Sequence, residues 1–298
     1  MSISFLATTA AANGLLFILG ASDPEMSEIE SVLKSNGLQF VYATVAGTRV
    51  HPGNMYKADF PTRTCHQVWV ECAPAGERAD IDHHQAGDPG FGLGPEHYME
   101  GSSLGQLLAL LGLEPTDEQK LCAAADHCCG AAYRGMCPGV DPDDLMQWRA
   151  ASRAAFQKRS VAEVLTDIHS AMSELAKAPW YVMRDGMGLD EYGFDVQISG
   201  YEAVEEIPSV RVRDMRRPTP VAELPEAAMR LGVGYMSGPL LDRDGREKFT
   251  VSGTEEEVAL WMEAASEVPL WKSHRGLGLV DIYGDPKRGF AGAYLPAQ

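Results

Sequence analysis

Asp82, His83 and His84 are consecutive within "RADIDHHQAGDPGFG" (78–92), between a short apolar segment and a glycine-rich loop. A carboxylate beside two imidazoles is poor core material, because each group is costly to bury without a partner. These residue types hold metal ions and move protons. Other acids stand at comparable places, just after apolar runs: Asp23 and Glu25 in "ASDPEM", Glu71 in "VWVECAP" and, further along, Asp126 in "AAADHCCGAAYRG". Oxygen-rich ligation with one or two imidazoles suits Mn²⁺ or Mg²⁺. Two such ions about 3.5–4 Å apart clamp an in-line displacement at phosphorus. Each residue also has a plainer reading. Asp23, with Ser22, can cap a helix. Asp126 can be a helix-surface acid, with His127 a neighbour rather than a ligand. Arg49, His51, Asn54 and Arg134 can be loop polarity instead of substrate contacts. Glu71 is hardest to set aside, because "VWVEC" gives a carboxylate no polar surroundings.

The elements that must position these residues follow from pattern. "NGLLFILG" (13–20) reads as a buried strand, and Pro24 opens a helix with Met26, Ile29, Val32 and Leu33 at three-to-four spacing, ending at Gly37. Strands are expected over 38–45, 66–73 and 79–82, followed by helices beginning at "SSLGQ", "TDEQK", "DPDDL" and "SVAEV". Strands alternating with helices predict an α/β fold with a mostly parallel sheet, whose ligands sit at the carboxyl ends of the strands. That is where the acids lie. Beyond about residue 178 the pattern changes. "APWYVMRDGMGLDEYGFDVQISG" is turn-rich and "RVRDMRRPTP" resembles a connection. A helix over Leu224 to Leu231, the strands "GVGYMSG" and "KFTVSG", a helix "TEEEVALWMEAAS" and the strands "LGLVDIYG" and "GFAGAYL" then form a smaller α/β domain.

The chain has 298 residues, 45% hydrophobic and 22% charged, with a formal net charge of −17. That composition is normal for a globular protein with a sizeable core. So acidic a surface repels long polyanions and argues against binding along duplex nucleic acid. No apolar run reaches the ~18 residues of a membrane span. The N-terminus lacks the basic region of a signal peptide. Cys65, Cys72, Cys122, Cys128, Cys129 and Cys137 lack paired C-x-x-C spacing. They read as reduced thiols, and the chain as cytoplasmic.

On the motifs "GASDPEM", "VWVEC", "IDHH" and "ADHCCGAAYRG", residues 14–135 resemble the DHH phosphoesterase superfamily, which includes RecJ-type exonucleases, nanoRNA-degrading and cyclic-dinucleotide phosphodiesterases and family II pyrophosphatases. Asp23 and Glu25 match the acids of its first motif, Glu71 the second, Asp82-His83-His84 the third and Asp126 the fourth. Two aspartates are replaced by glutamate. The first motif's histidine is absent, with Gly20, Ala21 or Ser22 in its place. The resemblance implies that Asp23, Glu25, Glu71, His83 and Asp126 ligate two Mn²⁺ or Mg²⁺ ions, and that His84, beside Asp82, faces the substrate phosphate. It also implies a smaller C-terminal domain with a glycine-rich phosphate loop. "YGDPKRGFAGAYLP" (283–296) holds that place, with Lys287, Arg288, Gly289 and Gly292 as candidate phosphate contacts, along with Arg134.

The resulting expectation is a DHH-like metal-binding catalytic domain over 1–140, a helical connector over 141–180 and a substrate-binding domain over 181–298. The expected activity is metal-dependent hydrolysis of a phosphodiester or phosphoanhydride in a small nucleotide or short oligonucleotide. The alternative is a degenerate relative that binds a nucleotide or partner without turnover. A homodimer is left open.

Overall fold

The computed structural model describes residues 14–59, 66–184, 209–266, 279–286 and 289–296. The chain divides into two compact units, Met1–Val161 and Ala162–Gln298. The helical stretch expected to be a connector is split at that boundary and forms no body of its own.

In the first unit β1 (Leu16–Leu19) lies between β2 (Gln39–Tyr42) and β5 (Gln67–Val70), parallel to both. β3 (Thr44–Val45) and β4 (Thr48–Arg49) form a small antiparallel pair. The helices are α1 (Pro24–Ser35), α2 (Tyr98–Gly101), α3 (Ser103–Leu111), α4 (Asp117–Tyr133) and α5 (Pro142–Gln157). β1 is apolar without alternation because both its faces are covered. Phe17 and Leu19 pack with Met26, Ile29, Leu104 and Leu107 of the helices. Ile18 packs on the other side with Ala43 and Trp69. Fully burying side chains of this size contributes roughly 1.5–3 kcal/mol each.

The expected strand over 79–82 contracts to one bridge, Ile81 parallel to Val70. The cause lies in the next residue. The Asp82 carboxylate accepts the amides of His83 (2.7 Å) and His84 (3.1 Å), which turns the chain out of the sheet.

The second unit contains α6 (Val161–Lys177), β6 (Trp180–Arg184), β7 (Ser209–Arg216), α7 (Leu224–Leu231), β8 (Tyr235–Leu241), β9 (Glu247–Ser252), α8 (Glu255–Ser266), β10 (Val280–Asp285) and β11 (Phe290–Tyr294). Its sheet runs β10-β11-β9-β8-β7-β6. β7 and β8 are parallel and the other neighbours antiparallel, so this sheet is mixed. One face packs Val212, Met236, Phe249 and Val251 against Val258 and Trp261 of α8. The other packs Met215 and Tyr235 against Ala171 and Leu175 of α6 and Leu224 and Ala227 of α7. "RVRDMRRPTP" is therefore not a connection, since most of it belongs to β7. Val212 points into the core while Arg213 stacks 3.7 Å from the Trp180 ring, a period-two pattern hidden by the charges.

Two glycines of the expected phosphate loop stand in the sheet and its turn. Gly292 sits inside β11, flanked by Thr250 of β9 and Tyr283 of β10. The Gly289 amide donates to the Pro286 carbonyl at 2.9 Å, and the Gly289 carbonyl accepts from Gly253 at 3.0 Å. These backbone groups serve the sheet and its turn. Lys287 and Arg288 lie outside the described residues, as does Cys65. Among the described residues no helix is long and apolar enough to cross a membrane.

Candidate metal centre

Four elements converge at the carboxyl ends of β1 and β5. Atoms of Glu25, Glu71, His83 and Asp126 lie within 4.8 Å of one another, and Glu71 and His83 form a second such group with His84. His83 Nε2 is 3.1 Å from Asp126 Oδ2 and 3.8 Å from Glu71 Oε1. Glu25 is 1% exposed and Glu71 2%. Glu25 Oε1 accepts the Leu104 amide in the first turn of α3 at 2.9 Å. Glu25 Oε2 and Glu71 Oε1 are buried without a hydrogen-bond donor. Orphaned carboxylate oxygens facing one imidazole nitrogen fit a hard divalent cation, which would supply the missing charge.

The backbone sets these side chains deliberately. Glu71 follows β5 with φ +50°, a left-handed conformation that costs a non-glycine residue about 1–3 kcal/mol. Its amide is held by the Ile81 carbonyl at 2.9 Å. Gly20, at the end of β1, lies against the same turn, and a Cβ there would come 2.5 Å from the Glu71 carbonyl oxygen. Position 20 has no room for a side chain, so the histidine missing from the first motif could not stand there.

Of the five expected ligands, Asp23 stands outside both groups. It caps α1, its Oδ1 accepting the Met26 amide at 2.7 Å. It remains electrostatically linked to the centre: burial first, then the Asp126 charge, raises its pKa.

Asp82 is wholly buried and holds the histidines. Its Oδ1 takes His84 Nδ1 at 2.7 Å as well as the two amides, and its Oδ2 accepts the Tyr56 hydroxyl at 2.9 Å. Gln106 clamps the Asp82 backbone from α3: its Oε1 accepts the amide at 3.2 Å and its Nε2 donates to the carbonyl at 3.1 Å.

His127 fixes the tautomer of His83. The Leu93 carbonyl, 2.9 Å from His127 Nε2, can only accept, so that nitrogen carries hydrogen. Burial lowers the His127 pKa and favours the neutral ring, so its Nδ1 is an acceptor. That atom is 3.1 Å from His83 Nδ1, which must therefore donate. With Nδ1 so committed, Nε2 is the nitrogen that faces the carboxylates, where a bound ion would replace the hydrogen it otherwise gives to Asp126 Oδ2 at 3.1 Å. Histidine ligands of metals are commonly oriented through the other ring nitrogen in this way.

Charge follows geometry. Burial, then Asp126 and Glu71, pushes the Glu25 carboxyl well above the usual range. Burial, then Asp126 and Asp23, pushes Glu71 up to about 7. Asp126 keeps 28% of its side chain open. Burial raises its pKa too, but the hydrogen bond and charge of His83 outweigh that and hold it low. Burial opposes the charge on His84, yet the Asp82 hydrogen bond and the Glu71 charge lift it to about 9. For Asp82 burial is likewise overcome, by hydrogen bonds from His84 and Tyr56, and its pKa falls.

Tyr56, Gln106 and His127 escaped the sequence reading as working parts. Gln106 left a signal, a polar residue within the apolar run "SLGQLLALL". Tyr56 left none. Arg134 ends α4 at the surface, two turns beyond Asp126, and is not brought to the carboxylates. Arg49 reaches the Gly20 carbonyl at 3.1 Å, while His51 and Asn54 shape their own turn. The described cysteines form no disulfide. Cys128, at a break in α4, lies 3.3 Å from Cys137, sulfur to sulfur. No metal-holding group among the described residues includes a cysteine.

Ser22 and Asp23 also line a cavity of about 870 Å³ between α1, α4 and α5, with Trp148, Arg149 and Arg153 on its far wall. No protein-family model, curated protein or solved structure matches this chain.

Proposed function

We propose that this chain is a metal-dependent phosphoesterase, a divergent relative of the DHH superfamily, acting on a phosphodiester or phosphoanhydride in a small nucleotide or short oligonucleotide. One observation carries the reading: Glu25, Glu71, His83 and Asp126 converge with two carboxylate oxygens lacking donors. Glu25, Glu71, His83 and Asp126 would hold a divalent ion, Mn²⁺ or Mg²⁺, which would supply Lewis-acid charge at the phosphoryl group.

The chain's own groups do the rest. Glu25, Glu71 and Asp126 hold negative charge in place, and His127 keeps the His83 lone pair turned inward. Without an ion His84 lies at about 9, and its hydrogen bond to Asp82, which belongs to neither candidate ion-holding group, favours the imidazolium. Asp82 and Tyr56 fix its ring, so it can stabilise charge on a phosphoryl oxygen or protonate a leaving oxygen. The cavity beside Asp23 has the size of a small-ligand site, and Arg149 and Arg153 stand in its lining with Glu28 and Glu118.

Hydrolysis of bis(p-nitrophenyl) phosphate and of small dinucleotides by purified protein tests the proposal. Activity should require Mn²⁺ or Mg²⁺, vanish in chelator and fall at least 100-fold in His83→Ala. Wild-type turnover by His83→Ala would refute it. Divalent binding without turnover of any of these substrates would favour the degenerate binder.

A further inference from the structure

The second unit holds a cavity of its own, of about 240 Å³, where α7 begins over the polar end of the sheet. Its chemistry is one-sided. Side chains on one face of β8 and β9 supply Tyr235, Ser237, Thr250 and Lys248. No carboxylate lines it, although the chain carries 42 acids.

Tyr235 is 6% exposed, and its hydroxyl bonds to no described residue. Burial alone raises its pKa, to about 12. The Ser237 and Thr250 hydroxyls lie 2.8 Å apart and share one hydrogen bond, so one of the pair keeps a hydrogen to give. Half-buried Lys248 makes no ion pair with any described residue. Arg217, at the rim, is already paired with Glu174 at 2.8 Å. The cavity thus gathers hydroxyls able to donate and a lysine whose charge also acts on Asp242, with no carboxylate in its lining. A carboxylate can accept several such donors at once, and hydrogen bonds to a charged group are the stronger ones. Apart from Thr219, the remaining walls, including Met215, Leu224 and Leu240, are apolar.

We propose that this cavity binds a small organic monocarboxylate, its oxygens on Lys248, Tyr235 and the Ser237–Thr250 pair, its carbon chain against Met215 and Leu224. One lysine balances one negative charge, so a dianionic phosphate is disfavoured. The volume falls below the ~300–1,000 Å³ of drug-sized sites, which limits the body to a few carbons.

The test uses full-length protein in chelator, so its outcome is independent of the metal centre. Titration calorimetry would compare butyrate with butanol, its uncharged counterpart, and with inorganic phosphate. Butyrate should bind at least tenfold more tightly than either. Tyr235→Phe and Lys248→Gln should each weaken butyrate about tenfold, the scale of one hydrogen bond to a charged group. Tyr235→Phe should melt no lower than wild type, since it deletes a hydroxyl that bonds to no described residue. Equal binding of butanol, tighter binding of phosphate, or unchanged butyrate affinity in both variants would each overturn the proposal.

Discussion

At the scale of residues, the centre depends on side chains that never touch the candidate ion. His127 is the clearest case. The neutral His83 ring has two ways to place its hydrogen, and only one leaves the Nε2 lone pair for an ion among the carboxylates. His127→Phe keeps a ring but removes the acceptor, and should weaken Mn²⁺ binding by about 10-fold or more. His127→Asn, whose side-chain oxygen can accept, should recover most of that affinity. Calorimetric titration of Mn²⁺ into both variants decides, and equal affinities would reduce His127 to packing. Glu71 and His83 were singled out in the sequence because an acid or imidazole after an apolar strand is costly to bury alone, whereas Glu25 and Asp126, on α1 and α4, have the ordinary alternative of a helix-surface acid. His127 was not legible as an orienting group, because its role depends on a carbonyl brought in from residue 93.

At the scale of elements, the centre is assembled by two strand ends meeting. Gly20 and Glu71 pack backbone to backbone, and neither side can yield without shifting β1 or β5. Gly20→Ala should therefore destabilise the protein by about 1–3 kcal/mol, the usual range for overpacking a close contact. It should also weaken Mn²⁺ binding, since the turn it displaces aims Glu71. Urea denaturation and titration of the same variant check both, and wild-type stability would show that the two turns are not so tightly apposed. β1, β5, α1 and α3 were readable from apolar runs and spacing. The strand at 79–82 was not, because its propensity loses to the turn made by the Asp82 carboxylate. β7 was missed for the opposite reason, since arginines facing outward from a strand have the composition of a linker.

At the scale of the whole molecule, a net charge of −17 and a buried acidic centre make stability depend on pH, and the proposed ion would shift that dependence. Without metal, Glu71 titrates near 7 against an ordinary 4.5, and His84 near 9 against 6.5. Both are raised, so each contributes stability that is complete below its ordinary value and lost as pH rises through the folded one. In chelator the melting temperature should fall as pH rises from about 4.5 to 9. Glu71→Gln should flatten the lower part of that fall. Mn²⁺ should raise the melting temperature more at pH 8 than at pH 5, because the carboxylates have then released the protons that compete with it. An equal metal effect at both values would mean that the ion binds elsewhere. The α/β class was readable across the molecule. The boundary between the units was not, because α5 and α6 follow one another without a change in composition.

The line of hydrogen bonds that orients His83 ends on the carbonyl of Leu93. Every amino acid carries that oxygen. Position 93 can change identity without altering the last acceptor, provided the backbone between Gly92 and Gly94 keeps its path. An alignment of side chains would score the residue as dispensable, while the atom that decides where the hydrogen sits goes uncounted.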